Sequence, residues 1–266
     1  MKKLSIFAVA LAAMAFTACG GNKSGQATEE TDSLKAFEQE QIEEKIKMEF
    51  DSLASELGKL KKLPVVNAEG GITLTAEEKQ VKPDYLLNPS AADNAETLAE
   101  KYRMLSALSV DKQVAAAYEM PVDDYKAAIM KLVGELNDPS FKALDDNATL
   151  LDEAQNLYNE MEQNGRINFF WQMAATSLVE QLFVISQNSD KFLEAFDDDA
   201  ASNVTYRIVL LQDAINRLTA YDPEIEPVAN AIKPLSVLNA ISVADLKTQL
   251  AAAKEQIVAA RAALVK

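Results

Sequence analysis

The chain has 266 residues, no histidine, a single cysteine (Cys19) and 41 acidic against 26 basic residues, for a formal net charge of −15. Without histidine there is no Ser-His or Cys-His nucleophile pair and no imidazole ligand for zinc or copper, and one cysteine cannot close an intrachain disulfide. The acidic balance argues against nucleic acid and anionic lipid surfaces as partners, because both select basic patches.

The chain opens with Lys2-Lys3, then the apolar run 4–16, the small residues Thr17 and Ala18, and Cys19. That run is too short to cross a bilayer as a helix, which needs roughly 20 residues. Its length suits the apolar region of a secretory signal. Phe16-Thr17-Ala18-Cys19 resembles the lipobox of bacterial lipoproteins of a Bacteroidetes-like kind, with Phe16 where Leu is usual. The resemblance implies removal of residues 1–18 as a signal peptide and acylation, with palmitate among the chains, at Cys19. Acyl chains contribute about 0.8 kcal/mol per buried CH₂, so a membrane anchor of this kind works without basic residues. Losing Lys2 and Lys3 with the leader makes the rest still more acidic. Cys19 is followed by GGNKSGQAT rather than by Asp or an acidic run. The implied location is the outer membrane, facing the periplasm, with surface display as the other option.

Residues 19–32, rich in Gly, Ser, Asn and Thr, read as a flexible tether. From residue 33 to 266 the apolar spacing predicts one all-α domain, a multi-helix bundle or helical-hairpin array. Leu34, Phe37, Ile42, Ile46, Phe50, Leu53, Leu57 and Leu60 recur mostly at three and four and predict a long first helix. Residues 64–92 read as a long surface loop or lid, with Ile72–Thr75 as a short strand candidate and Thr75-Ala-Glu-Glu78 as a capping box for one helical turn. Ala95, Leu98, Tyr102 and Leu105 mark a helix, and residues 110–119 a second, short one before Pro121. Val122, Tyr125, Ile129, Leu132 and Leu136 form the stripe of the next, with Pro121 as its first residue. Leu150, Ala154, Leu157 and Met161 mark another, closed by Asn164-Gly165.

Residues 166–187 are apolar around most of the circumference, which predicts a helix at the centre of the core. Val204, Ile208, Leu211, Ile215 and Leu218 mark a helix near 201–219, and the stretch 223–239 is helical but interrupted by Pro227 and Pro234. The last helix starts at Ser242, capped through Asp245, with the seam Leu246, Leu250, Ala253, Ile257, Ala260 and Leu264 expected to pack within the bundle. NDPSFKALDD (137–146) and NSDKFLEAFDD (188–198) are weakly alike, as in a duplicated helix-linker-helix unit.

Glu180 is nearly alone as a charge in the apolar helix. A buried carboxylate pairs or rises in pKa, so Glu180 is expected to pair with an arginine on a neighbouring helix, Arg207 or Arg217. The acidic runs 145–147 and 197–199 lack the spacing of a calcium loop and read as helix caps. Tyr102, Tyr118, Tyr125 and Tyr158 sit in amphipathic stripes and read as core edges. No catalytic residue, metal ligand or cofactor motif stands out. The expected function is a non-catalytic binding or scaffolding module of the cell envelope with a protein partner. The alternative is a carboxylate-dependent hydrolase of an envelope glycan, which needs only two carboxylates.

Overall fold

The computed structural model describes residues 44–60, 63–65, 72–141 and 154–265. Among these residues every regular element is helical, as the spacing requires. The expected signal, Cys19, the tether, the start of the first helix and the 145–147 run lie outside the described residues.

Two long helices form the centre. Helix α3 (Leu98–Ala117) is capped by Thr97, whose hydroxyl accepts from the Glu100 amide while Glu100 reaches back to the Thr97 amide. Helix α6 (Ile167–Gln187) buries residues on all sides, from Ile167 through Trp171 and Met173 to Ile185. The two pack on each other, and the Ser106 hydroxyl donates to Met173 O at 2.8 Å. One core cluster runs from Ile46 to Leu264.

Around this pair the remaining helices lay down their apolar stripes. Helix α1, described over 44–59, sets Phe50 against Trp171, with ring centroids 6.1 Å apart. Its Gly58 lies beside α5 (Ala154–Gln163), where a Cβ would come within 3.3 Å of Gln155. The single-turn α2 (Ala76–Gln80) carries the expected Thr75/Glu78 capping box. Helix α4 (Asp123–Leu136) buries Tyr125, Leu132 and Leu136 and ends at Asn137, whose φ of 45° is left-handed. The short α7 (Ser189–Phe192) leads to α8 (Asp198–Leu218), capped by Asp197, which accepts from the Ala200 amide. Helix α9 (Glu226–Ile232) is flanked by 3₁₀ turns that begin at Pro223 and Lys233, so the prolines fall at starts rather than interiors. Helices α10 (Val243–Ala252) and α11 (Lys254–Leu264) follow the Ser242 cap.

Several expectations are corrected. The two helices anticipated over 95–119 are one, α3: no Gly or Pro stands between Leu105 and Val110, and Ser109 satisfies its hydroxyl on Leu105 O at 2.8 Å. Pro121 precedes the cap of α4 rather than opening it. Ile72–Thr75 is not a strand but the approach to α2. The last helix is divided at Ala253, yet its six-residue seam is buried as expected. The division lets α10 pack on α8 while α11 turns along α6 and α9. The two similar linkers do different work: Asn137 is the left-handed C-cap of α4, whereas Asn188 has a negative φ and caps α7 through its side chain.

Candidate functional site

The strongest concentration of buried polar chemistry lies where α3, α6 and α11 meet. Asp111 is 0 % exposed and Glu180 1 %. Arg261 Nε donates to both oxygens of Glu180 at 2.9 Å, and its Nη2 stands 2.8 Å from Oε1. The same Nη2 is 3.6 Å from Asp111 Oδ2. The guanidinium also lies over the Phe183 ring, 4.0 Å from its centroid, which adds a cation–π attraction in a desolvated setting. Glu180 is therefore paired with an arginine of a neighbouring helix, but that arginine is Arg261.

Arg207 and Arg217 are placed elsewhere. Helices α1 and α8 run side by side, and Arg207 donates to Leu60 O at 3.3 Å, its pKa pushed down to about 10 by burial. Arg217 binds Asp213 one turn back and Glu49 of α1. The spacing that put 207 and 217 on the next long helix did not reveal which face of that helix turns toward Glu180. Both in fact turn toward α1.

The segment between α2 and the 3₁₀ turn Pro89–Asn94 closes over this cluster. The Leu87 amide donates to Asp111 Oδ2 at 2.7 Å, and the Tyr125 hydroxyl donates to Leu87 O at 2.8 Å. Tyr85 sets its ring edge-on to Phe183 at 6.1 Å. The expected lid against the bundle is thus a strap, fastened at Leu87 by both of its backbone groups. Further along, Lys82 donates to Tyr118 O, while Lys79 pairs with Glu119 and Glu78 with Lys191.

Burial and charge set the protonation of this site. Asp111 is held well above the ordinary carboxyl range, first because it is desolvated and then because Glu180 stands beside it. Burial raises the phenol of Tyr125 to about 12 and that of Tyr85 beyond. One cation faces two carboxyl groups, so the arrangement can hold a proton. A helix boundary at residue 110, as the spacing suggests, hides the position of Asp111 in the sequence. Once α3 is continuous, Met104, Leu108, Asp111 and Ala115 follow one another at four, three and four on one buried stripe, and that signal was available.

Of the four tyrosines expected at core edges, all are buried, and Tyr102 and Tyr158 lie fully inside the core rather than at its edge. Tyr102 donates to Asp138 at 2.5 Å and Tyr158 to Asp51 at 2.9 Å. Trp171 is fully buried among Phe50, Tyr158 and Phe170 and presents no face to solvent. The Asp197–Asp199 run caps α8, and Asp198 accepts from the Val243 amide at 2.9 Å. Among the described residues no group of three or more acidic or cysteine side chains gathers as metal ligands, and no helix is long and apolar enough to cross a membrane.

On the outside, an open polar cleft of about 490 Å³ lies between α8 and α9, lined by Gln212, Asn216, Asn230 and Lys233 among others. Beside it is an apolar border. Tyr206 and Val209 stand one turn apart on the outer face of α8, 46 % and 54 % exposed. Thr205 and Ser202 donate to Ala240 O and Ile241 O, which brings the 237–241 stretch alongside, with Val237 and Ile241 also exposed.

No protein-family model, curated protein or solved structure matches the chain.

Proposed function

We propose that the chain is a lipoprotein, acylated at Cys19 and anchored in the outer membrane facing the periplasm, whose helical domain is a non-catalytic binding or scaffolding module of the envelope. The anchoring part of this reading rests on the Lys2-Lys3, apolar run and Phe16–Cys19 sequence. The binding part rests on the apolar border Tyr206, Val209, Val237 and Ile241 beside a polar cleft, the kind of rimmed apolar surface that protein partners cover. Two further features favour binding over glycan hydrolysis. Trp171, Tyr102, Tyr118, Tyr125 and Tyr158 are turned inward, which leaves Tyr206 as the exposed ring on the cleft's border. The carboxyl pair Asp111 and Glu180 is covered and tied to Arg261.

The experiment joins both parts. Cells producing the full chain are fed a palmitate analogue, and a photoreactive residue is placed at 209 or, as a control, at exposed Lys59 on the α1 side. The reading predicts label in the wild type and none in Cys19→Ala, and membrane crosslinks from position 209 that position 59 does not give. An unlabelled wild type overturns the anchor. Equal crosslinking from both positions overturns the binding face.

A further inference from the structure

We propose that the Asp111–Glu180–Arg261 cluster is a proton-dependent latch: one proton shared by the two carboxyl groups keeps the 84–88 strap shut over the cluster, and loss of that proton opens the strap.

The charge balance comes first. Both carboxyl groups are buried and the guanidinium is their common cation, so two ionised acids would leave a net negative charge inside the core. Burying an unbalanced charge is strongly unfavourable, and proteins avoid it by changing protonation. Glu180 has both oxygens occupied by Arg261 Nε. Asp111 Oδ2 already accepts from Leu87, while its Oδ1 is buried and receives no donor among the described residues. With Glu180 in hydrogen-bonding reach, a proton on Asp111 converts two acceptors into a donor and an acceptor.

Among the described residues, Arg261 is the cation that acts on Asp111. Glu180 faces it from α6, Arg261 from α11, Tyr125 from α4 and Tyr85 from the strap, with Asp84 and Tyr118 beyond Tyr85. Both tyrosines are held neutral by burial, so neither supplies charge. When Asp111 ionises, the two carboxylates repel and water must be admitted.

The strap is the part that yields. Helices α3 and α6 carry the core. Ionisation of Asp111 strengthens the Leu87 amide bond as well as the attraction to Arg261, but burial under the closed strap and the neighbouring Glu180 outweigh both, so the closed state as a whole favours the proton. The 84–88 stretch is irregular and is tied down by the two bonds at Leu87, the Tyr85 ring contact and the side-chain contacts of Glu78, Lys79 and Lys82. Opening there admits water to Asp111 with the least loss of packing. The strap is therefore shut at low pH and opens as pH rises.

Hydrogen exchange of the full chain across a pH series reads this directly, with each rate divided by the intrinsic base-catalysed rate. The corrected exchange of the Leu87 amide is expected to rise at least about tenfold with pH in the wild type, as for a local opening. In Asp111→Asn, whose amide mimics the protonated acid, it is expected to stay flat. A wild type without a pH response, or the same response in Asp111→Asn, overturns the latch. Should Asp111→Asn fail to fold, infrared spectroscopy of the wild type decides: a protonated-carboxyl band at neutral pH that vanishes as exchange rises supports the latch, and absence of that band overturns it.

Discussion

Asp138 and Asp111 are both nearly excluded from solvent, at 5 % and 0 % exposure; Asp111 belongs to α3 near its C-terminal end, and Asp138, just past α4, meets Tyr102 near the N-terminal end of α3. Asp138 sits among donors: the Tyr102 hydroxyl at 2.5 Å and the Ser140 amide at 2.9 Å, on different oxygens. Asp111 has one hydrogen-bond donor, the Leu87 amide, with Arg261 Nη2 farther off at 3.6 Å and a second carboxyl group as neighbour. Burial is shared, and the visible difference lies in what each carboxyl group meets. Donors stabilise the ionised form and a neighbouring carboxylate opposes it. Near one end of α3 a buried aspartate ties the segment after α4 down through two hydrogen bonds, and near the other a buried aspartate holds a proton.

Substitutions can break or sharpen this contrast. The largest effect is expected for Glu180→Gln, which leaves Arg261 buried without its bidentate partner. Removing one member of a buried pair is destabilising by about 3 kcal/mol or more, and Asp111 recovers part of this by ionising toward Arg261. Urea unfolding at neutral pH measures it. Next comes Tyr102→Phe, which takes from Asp138 the stronger of its two donors, with an expected loss of about 2 kcal/mol.

The same substitution made at both aspartates gives the sharpest comparison. Asp138→Asn presents an amide donor to groups that already donate and should lose about 1 kcal/mol. Asp111→Asn keeps the acceptor for Leu87 and gains a donor toward Glu180, so at neutral pH its stability should lie within about 0.5 kcal/mol of wild type or above it. Equal losses at the two positions would erase the distinction.

Much of this architecture was legible as periodicity. The all-round apolar pattern of 167–185 placed α6 at the centre, and the Leu246–Leu264 seam was read residue by residue because a helix buries one stripe. Local hydrogen bonding was legible too: Thr75/Glu78 and Ser242 cap as their spacing requires. Glu180 stood out as the lone charge in an apolar helix, and it does take an arginine. Which arginine was not legible, because periodicity orients a face within a helix and says nothing of which helix it meets. Arg261 lies 81 residues further along, next to the buried Ala260 on an alanine-rich helix, where it reads as a solvent-side residue. The strap was legible as a loop of unusual length but not its fastening, since the bonds at Leu87 use main-chain groups that carry no sequence signal.

The proton on Asp111 is the central claim, and the pH dependence of stability tests it most directly. The folded-state pKa of Asp111 is raised above its ordinary value of 3.8. As pH climbs past that ordinary value, the unfolded chain releases this proton while the folded chain keeps it. The stabilisation is complete at low pH and declines as pH rises toward and through the raised value. Asp111→Asn lacks this linkage. Unfolding free energies of the wild type and Asp111→Asn, measured side by side between about pH 5 and about pH 9, should show the wild type losing stability relative to the variant as pH increases. Two parallel curves, or a wild type that gains on the variant with rising pH, would contradict a proton held at Asp111.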